Sequence, residues 1–397
     1  MTTDARGISL GPATITLASA CTAIGTLVVV IKRWSTERSL VPYQLFKLPV
    51  TWVILAYFTV GLISGINATD IVAFVKEVFQ RVLMLFLCVY LFAVGPRTPR
   101  ALDLALLCFL PVGSIIAGIS ATLGAKSGFQ NAVYMENLHK NAVGDSNAAL
   151  ILVCAAFLMT RCHPKFRWVF WLLTLVAVVG LVGSRGRSSF LGMVVGLVLM
   201  TISYRFKPGL FFGVILAITL GAGVLAIILP PEVIDSMFTT KAHSSNAVRI
   251  TAYTEIWNHI KENPLNFCGW GNYAQGYRTS QIDPTTNVIL HDWLQMGPIG
   301  AVLLIFILLL AIKLPLDNGR RLSIRDAPIL ASINLSALGV ITLHAVHGMF
   351  DTFWVARGPH LAPFQFLGIA IFVRLWMDQE DDERRKQLVS QKVIRQG

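Results

Sequence analysis

The chain has 397 residues, 55% hydrophobic and 14% charged, with a formal net charge of +12 and a mean hydropathy of +0.65. Those values exclude an ordinary water-soluble globular chain. The Lys and Arg residues fall in short clusters between apolar runs rather than on one basic face, so they argue against nucleic-acid binding and for a membrane protein oriented by positive loops. The runs Val169 to Gly183, Gly209 to Leu229 and Ala301 to Ile312 are continuously apolar, not alternating with period two. The spans are therefore α-helices rather than barrel strands, and the fold class is an all-α polytopic membrane protein.

In chain order, windows of about 20 residues place spans near 8–31, 48–66, 71–95, 101–124, 147–160, 168–183, 189–204, 209–229, 288–312, 327–350 and 359–377. The first window contains Gly11, Pro12 and Gly25 and is weakly apolar in its first half. It reads as one helix or as two short ones, for a total of about eleven or about twelve. It lacks a charged leader and a cleavage site, so it is expected to stay as a membrane segment rather than to act as a signal peptide. Of the six cysteines, Cys21, Cys88, Cys108 and Cys154 fall in spans, Cys162 in a short basic loop and Cys268 in the longest loop. No CxxC pair or metal-ligand spacing appears, so neither a disulfide framework nor a zinc site is expected.

Orientation follows from alternate loops. Lys32, Arg33, Arg38 and Lys47, then Arg97 with Arg100, Arg161 with Lys165 and Arg167, Arg205 with Lys207, the 313–326 loop and the tail carry most of the positive charge. These should be cytoplasmic, leaving 67–70, 125–146, 184–188, 230–287 and 351–358 outside. The chain reads as one transmembrane domain, 1–397, with a large outward loop at 230–290 and a charged cytoplasmic tail at 378–397. Within the large loop, Ile250 to Ile260 reads as an amphipathic helix and Asn263 to Tyr273 as a Gly- and Pro-punctuated segment.

The outward side carries the residues that suggest chemistry. Arg185 and Arg187 lie in the short Ser184-to-Ser189 connection, where a charge close to the membrane asks for a partner. With Arg249 they would form an anion site, since guanidinium groups suit phosphate oxygens; the alternative is that Arg187 reaches to headgroups and Arg249 is a surface residue. His291, followed by Asp292, stands where the long loop returns to the membrane, and imidazole is the default proton acceptor near neutrality. A hydrogen-bonded structural histidine is the alternative. His344, His347 and Asp351 share one helix face, a spacing open to a metal or to polar packing. His139, Lys140, Asn141 and Asn147 line the same outer cavity or form a solvated loop.

No Walker, Rossmann, Gly-x-Ser-x-Gly or HExxH motif is present, nor an Asp-x-Asp in an outward loop, so no cofactor and no catalytic metal are expected. Phosphate handling falls to arginine.

Ser184-Arg185-Gly186 opening a span, Arg249 followed by Trp257, then Asn263-Pro264-Leu265, Gly269-Trp270-Gly271 and His291-Asp292-Trp293-Leu294-Gln295 leading to Gly297 and Gly300 resemble the bacterial O-antigen ligase and polymerase superfamily. The resemblance implies about twelve helices of the GT-C-like membrane glycosyltransferase kind with both termini cytoplasmic, which favours dividing the 8–31 window. The sequence departs at Asp292, where the family usually has Asn. The resemblance further implies a bacterial inner-membrane enzyme with its site facing the periplasm. Its donor would be an undecaprenyl-pyrophosphate-linked glycan and its acceptor a sugar hydroxyl of lipid A-core. Arg185, Arg249 and Arg187 would clamp the pyrophosphate, and His291 would be the general base of an inverting, metal-independent transfer. A polymerase or a protein O-oligosaccharyltransferase shares these motifs. A transporter of anionic solutes or lipid-linked glycans is the reading from another class, and Lys76, Glu77 and Arg81 are the charged cluster it would use.

Overall fold

The computed structural model describes the chain apart from residues 1–6, 11–12, 38–41, 130–131, 136–139, 204–230, 232–239, 266, 273–286, 325, 351–360 and 397. Strands β1 (Gly7–Leu10) and β2 (Ala13–Thr16) pair antiparallel, with Gly7 opposite Thr16. Helices follow: α1 (Leu17–Glu37), α2 (Pro49–Ser64), α3 (Ile71–Arg81), a π-helical stretch (Val82–Cys88), α4 (Val89–Val94), α5 (Pro99–Lys126), α6 (Lys140–Thr160), α7 (Arg167–Ser184) and α8 (Arg187–Ser203). After the undescribed 204–230 segment come α9 (Thr240–Glu262), α10 (Val288–Arg321), α11 (Pro328–Gly348) and α12 (Ala362–Gln396).

Among the described residues, seven helical segments are long and apolar enough to cross a membrane, and α8 is a shorter apolar helix. The chain is an all-helical, multi-pass membrane protein apart from the N-terminal hairpin. That hairpin corrects the reading of the first window, which holds a strand pair followed by a single helix rather than one helix from residue 8 or two short ones. Ile8, Thr14, Ile15 and Thr16 favour extended backbone, and Gly11 and Pro12 separate the strands in sequence, so helix starts only at Leu17. The window at 209–229 lies outside the described residues.

Burial sorts the helices into layers. Helix α11 is almost wholly enclosed, and so is α6, while α5 and α7 turn Leu104, Val112, Ile115, Trp168, Trp171, Leu172 and Leu175 outward to where lipid would lie. The polar residues follow the enclosed helices: Asn141, Asp145 and Asn147 on α6, and Ser332, Asn334, Ser336, Thr342, His344 and His347 on α11 are all buried. An intramembrane polar group facing lipid has no partner, so such residues face the bundle interior. Close helix approach uses small residues. A Cβ at Gly196 would lie 3.0 Å from the Gly339 carbonyl oxygen, and one at Gly124 would lie 3.0 Å from the Gly183 Cα.

Helix α6 starts well before the apolar window at 147–160. Lys140, Asn141 and Asn147 are therefore helical rather than part of a solvated loop, and His139 lies outside the described residues. Hydropathy missed this first turn because its polar residues are paired inward: the Asn147 amide donates to Ser120 Oγ at 3.1 Å and to the Val143 carbonyl at 2.8 Å. The tail from 378 continues helically as part of α12, tied back by Arg321 to Asp378 at 2.8 Å and Asp381 at 2.6 Å.

Candidate functional site

The turn between α7 and α8 is only Arg185-Gly186. Arg185 has φ 53° and ψ 30°, a left-handed conformation that costs a non-glycine residue about 1–2 kcal/mol. Its own side chain offsets that cost, because the guanidinium donates to the Phe129 carbonyl from Nε at 3.1 Å and from a second nitrogen. Phe129 is itself left-handed, with φ 59°. Arg187 opens α8, and both arginines are half-buried. Helix α6 closes on the turn from beneath: a Cβ at Gly144 would sit 2.9 Å from Ser189 Oγ and 3.0 Å from Ser184 Oγ.

Below the turn, His347 Nδ1 of α11 hydrogen-bonds Asp145 Oδ1 of α6 and lies 3.5 Å from Ser189 Oγ of α8. His344 Nε2 stands 3.8 Å from the other Asp145 oxygen, while its Nδ1 donates to the Val340 carbonyl at 2.8 Å. These histidines thus lock three helices together by polar packing. Asp351 lies outside the described residues. Sequence reading missed Asp145 because it fell in a presumed loop; the signal was its i,i+4 relation to Asn141, which puts both on one helix face.

His291 is set by the first turns of α10. Asn287 caps that helix, its side-chain oxygen accepting from the Ile289 and Leu290 amides at 2.9 and 3.1 Å. His291 is buried one turn inside, and the Gln295 amide nitrogen lies 2.5 Å from its Nε2, which orients the ring. Helix α9 packs on the same turns: Ile256, Ile260 and Leu294 form a small apolar cluster, and Trp257 meets Trp293 edge-on with centroids 6.4 Å apart. Arg249 belongs to α9, so its helix flanks the His291 turn, but its side chain lies outside what is described.

The loop motif Gly269-Trp270-Gly271 has a clear structural task. Gly297 breaks α10 at φ 74° and ψ −173°, and Pro298 has no N–H, so the Leu294 and Gln295 carbonyls lose their helical partners. The Cys268 and Gly269 amides bond them instead, each at 3.0 Å. Gly269 and Gly271 take φ of +84° and +75°, which a side chain would strain. Between them Trp270 is fully buried against Gly61, where a Cβ would fall 2.0 Å from the indole. Gly61→Ala is accordingly expected to destabilise the fold by about 1–3 kcal/mol, read as a lowered thermal midpoint with altered tryptophan emission. An unshifted midpoint would mean that the indole moves aside freely. Burial pushes the Cys268 thiol up to about 12, which disfavours its thiolate.

Asp292 is enclosed in a separate charged network. It accepts from Tyr57 Oη at 2.6 Å and lies 3.9 Å from an Arg81 nitrogen. Arg81 donates from Nε to Glu77 at 2.7 Å and from Nη1 to Tyr57 Oη at 3.0 Å, and its guanidinium carbon sits 5.5 Å from the Trp270 ring centroid. The Glu77–Arg81 pair that a transporter would place along a solute path is instead packed against an indole and a phenol. The π-helical stretch begins directly after Arg81, a local irregularity often found at functional sites.

The arginine turn and the His291 turn occupy the same end of the bundle. From Arg185 the path runs through Ser189 to His347 and on to the end of α11, where the Met349 carbonyl accepts from Asn287 at 3.1 Å and from Tyr253 of α9 at 3.2 Å. These contacts link the Arg185 turn, through Ser189 and His347, to the end of α11 and from there to the capped start of the helix that carries His291, whereas Asp292 joins Tyr57 and Arg81.

A family model described as O-antigen ligase matches residues 172–305, a segment running from within α7 to within α10. No curated protein matches the chain.

Proposed function

We propose, from the premise that this match supports membership of the O-antigen ligase and polymerase superfamily, that the chain is an O-antigen ligase of the bacterial inner membrane with its site on the periplasmic side. Members of the superfamily are glycosyltransferase-like enzymes acting on lipid-linked glycans. In the proposed reaction an undecaprenyl-pyrophosphate-linked O-antigen is the donor and a sugar hydroxyl of lipid A-core is the acceptor. The hydroxyl oxygen attacks the anomeric carbon as the bond to the pyrophosphate oxygen breaks, and the configuration at that carbon inverts. His291 takes the hydroxyl proton, and the arginines at 185, 187 and 249 bear the charge of the departing pyrophosphate. No cofactor enters the scheme.

The observation that carries this reading is the shared bundle end: a half-buried arginine turn, the arginine-bearing α9 and the His291 turn converge through Ser189, His347 and Met349. Both substrates carry lipid chains, which suits a site beside helices whose outward faces are apolar.

The test is purified full-length protein in detergent with lipid-linked glycan and lipid A-core. The expected product is polymer attached to lipid A-core with release of carrier pyrophosphate. Elongated glycan still on the carrier would assign a polymerase instead. Donor recovered intact beside unmodified acceptor would leave transport as the remaining class.

A further inference from the structure

At the opposite end of the bundle, Asp103, Cys162 and His163 come together from two distant stretches of chain. Their ligand atoms all lie within 4.8 Å of one another, and His163 Nε2 is 3.1 Å from Asp103 Oδ1. Asp103 sits near the start of α5 and is buried. Cys162 and His163 form the tight connection from α6 to α7. Arg161, at φ 55°, ends α6 in a left-handed residue, and Pro164 prevents the next two residues from continuing the helix. The His163 ring is fixed by aromatic neighbours: its centroid lies 5.5 Å from that of Phe157, which stacks on Phe170 at 5.0 Å.

We propose that Asp103, Cys162 and His163 form a binding site for a zinc-class divalent cation, with three protein ligands and a fourth position taken by water. The donor set is one imidazole nitrogen, one thiol sulfur and one carboxylate oxygen. It matches a borderline-soft ion and does not suit magnesium or calcium, which take oxygen ligands. Zinc holds such atoms at about 2.0–2.3 Å, so ligand atoms spread over the observed distance close on one ion with side-chain adjustment alone. A plain ion pair accounts for Asp103 and His163; the Cys162 thiol, which also has Thr160 and Ser332 as hydrogen-bond partners, adds a third ligand atom within reach of both. Cation binding there releases the thiol proton to solvent as the thiolate forms.

The site lies about 30 Å along α5 from the Gly124–Gly183 contact beside the arginine turn, at a rise of about 1.5 Å per residue. It therefore takes no part in chemistry at that end. Its effect is to clip the start of α5 to the α6–α7 connection, on the side that the positive loops predict to be cytoplasmic. The inference stands independently of the transfer reaction.

Purified full-length protein, stripped with chelator and titrated with Co²⁺, tests it. One equivalent should bind with visible bands of tetrahedral intensity and a near-ultraviolet thiolate-to-cobalt charge-transfer band, and Zn²⁺ should displace both. Cys162→Ser should abolish the charge-transfer band, Asp103→Ala and His163→Ala should weaken binding by at least about tenfold, and Cys108→Ser should retain both bands and affinity. Absence of the band in the wild type, or its persistence in Cys162→Ser, overturns the proposal. Should Cys162→Ser fail to fold, thermal unfolding decides: Zn²⁺ should raise the wild-type midpoint and leave His163→Ala unmoved, and an equal rise in both would also overturn it.

Discussion

Arg81→Met should be among the most destabilising single substitutions in the chain, by about 3–5 kcal/mol, whereas Asp292→Asn should stay within about 1.5 kcal/mol of wild type. The asymmetry follows from charge. Arg81 is the cation between two buried carboxylates, Glu77 at 2.7 Å and Asp292 at 3.9 Å, and its side chain is 1% exposed. Removing it leaves two anions without a counter-charge, in a region where neither finds water. Asparagine at 292 removes one anion, keeps an oxygen for the Tyr57 hydroxyl and leaves Arg81 paired one-to-one with Glu77. Denaturation of both variants in the same detergent measures the difference. Equal losses would show that Arg81 is not the neutralising centre.

His291→Ala should lower transfer by about a hundred- to ten-thousand-fold, the usual contribution of a general base, with an unfolding midpoint close to wild type. The small stability effect is expected because the Asn287 cap, the Trp293 bond to the Pro264 carbonyl at 3.1 Å and the two loop amides on Leu294 and Gln295 hold the first turns of α10 without the imidazole. Gln295→Leu, which removes the partner of Nε2, should reduce kcat by a smaller factor while leaving donor KM unchanged, as befits a positioning residue. Full activity of His291→Ala in a folded preparation would sink the base assignment while leaving the membrane architecture untouched.

Arg185 illustrates how far a short motif can be read. Its residue type and its place at a membrane boundary announce an anion site, yet its guanidinium is also a structural tie to the Phe129 carbonyl that makes the left-handed turn tolerable. Lysine cannot bridge that carbonyl from two nitrogens. Loss of activity in an Arg185 variant therefore reports on the turn as well as on phosphate.

By itself the sequence determined the helical, multi-pass architecture and most of the span positions, because a lipid solvent writes its demand as continuous apolar runs. It also determined the arginine turn, the helix at 250–260 and the start of α10, since Gly, Pro, Asn and short polar clusters report local backbone directly. Only the tertiary structure decided the pairings across helices. Asp145 with His347 lies 202 positions apart, Tyr57 with Asp292 lies 235, and Asp103 with His163 lies 60. A buried polar residue lowers local hydropathy in the same way whether it meets water or a distant partner, so polar first turns such as Lys140 to Asn147 read as loop. The partner that makes each of them tolerable inside a membrane is a property of packing, and no local window contains it.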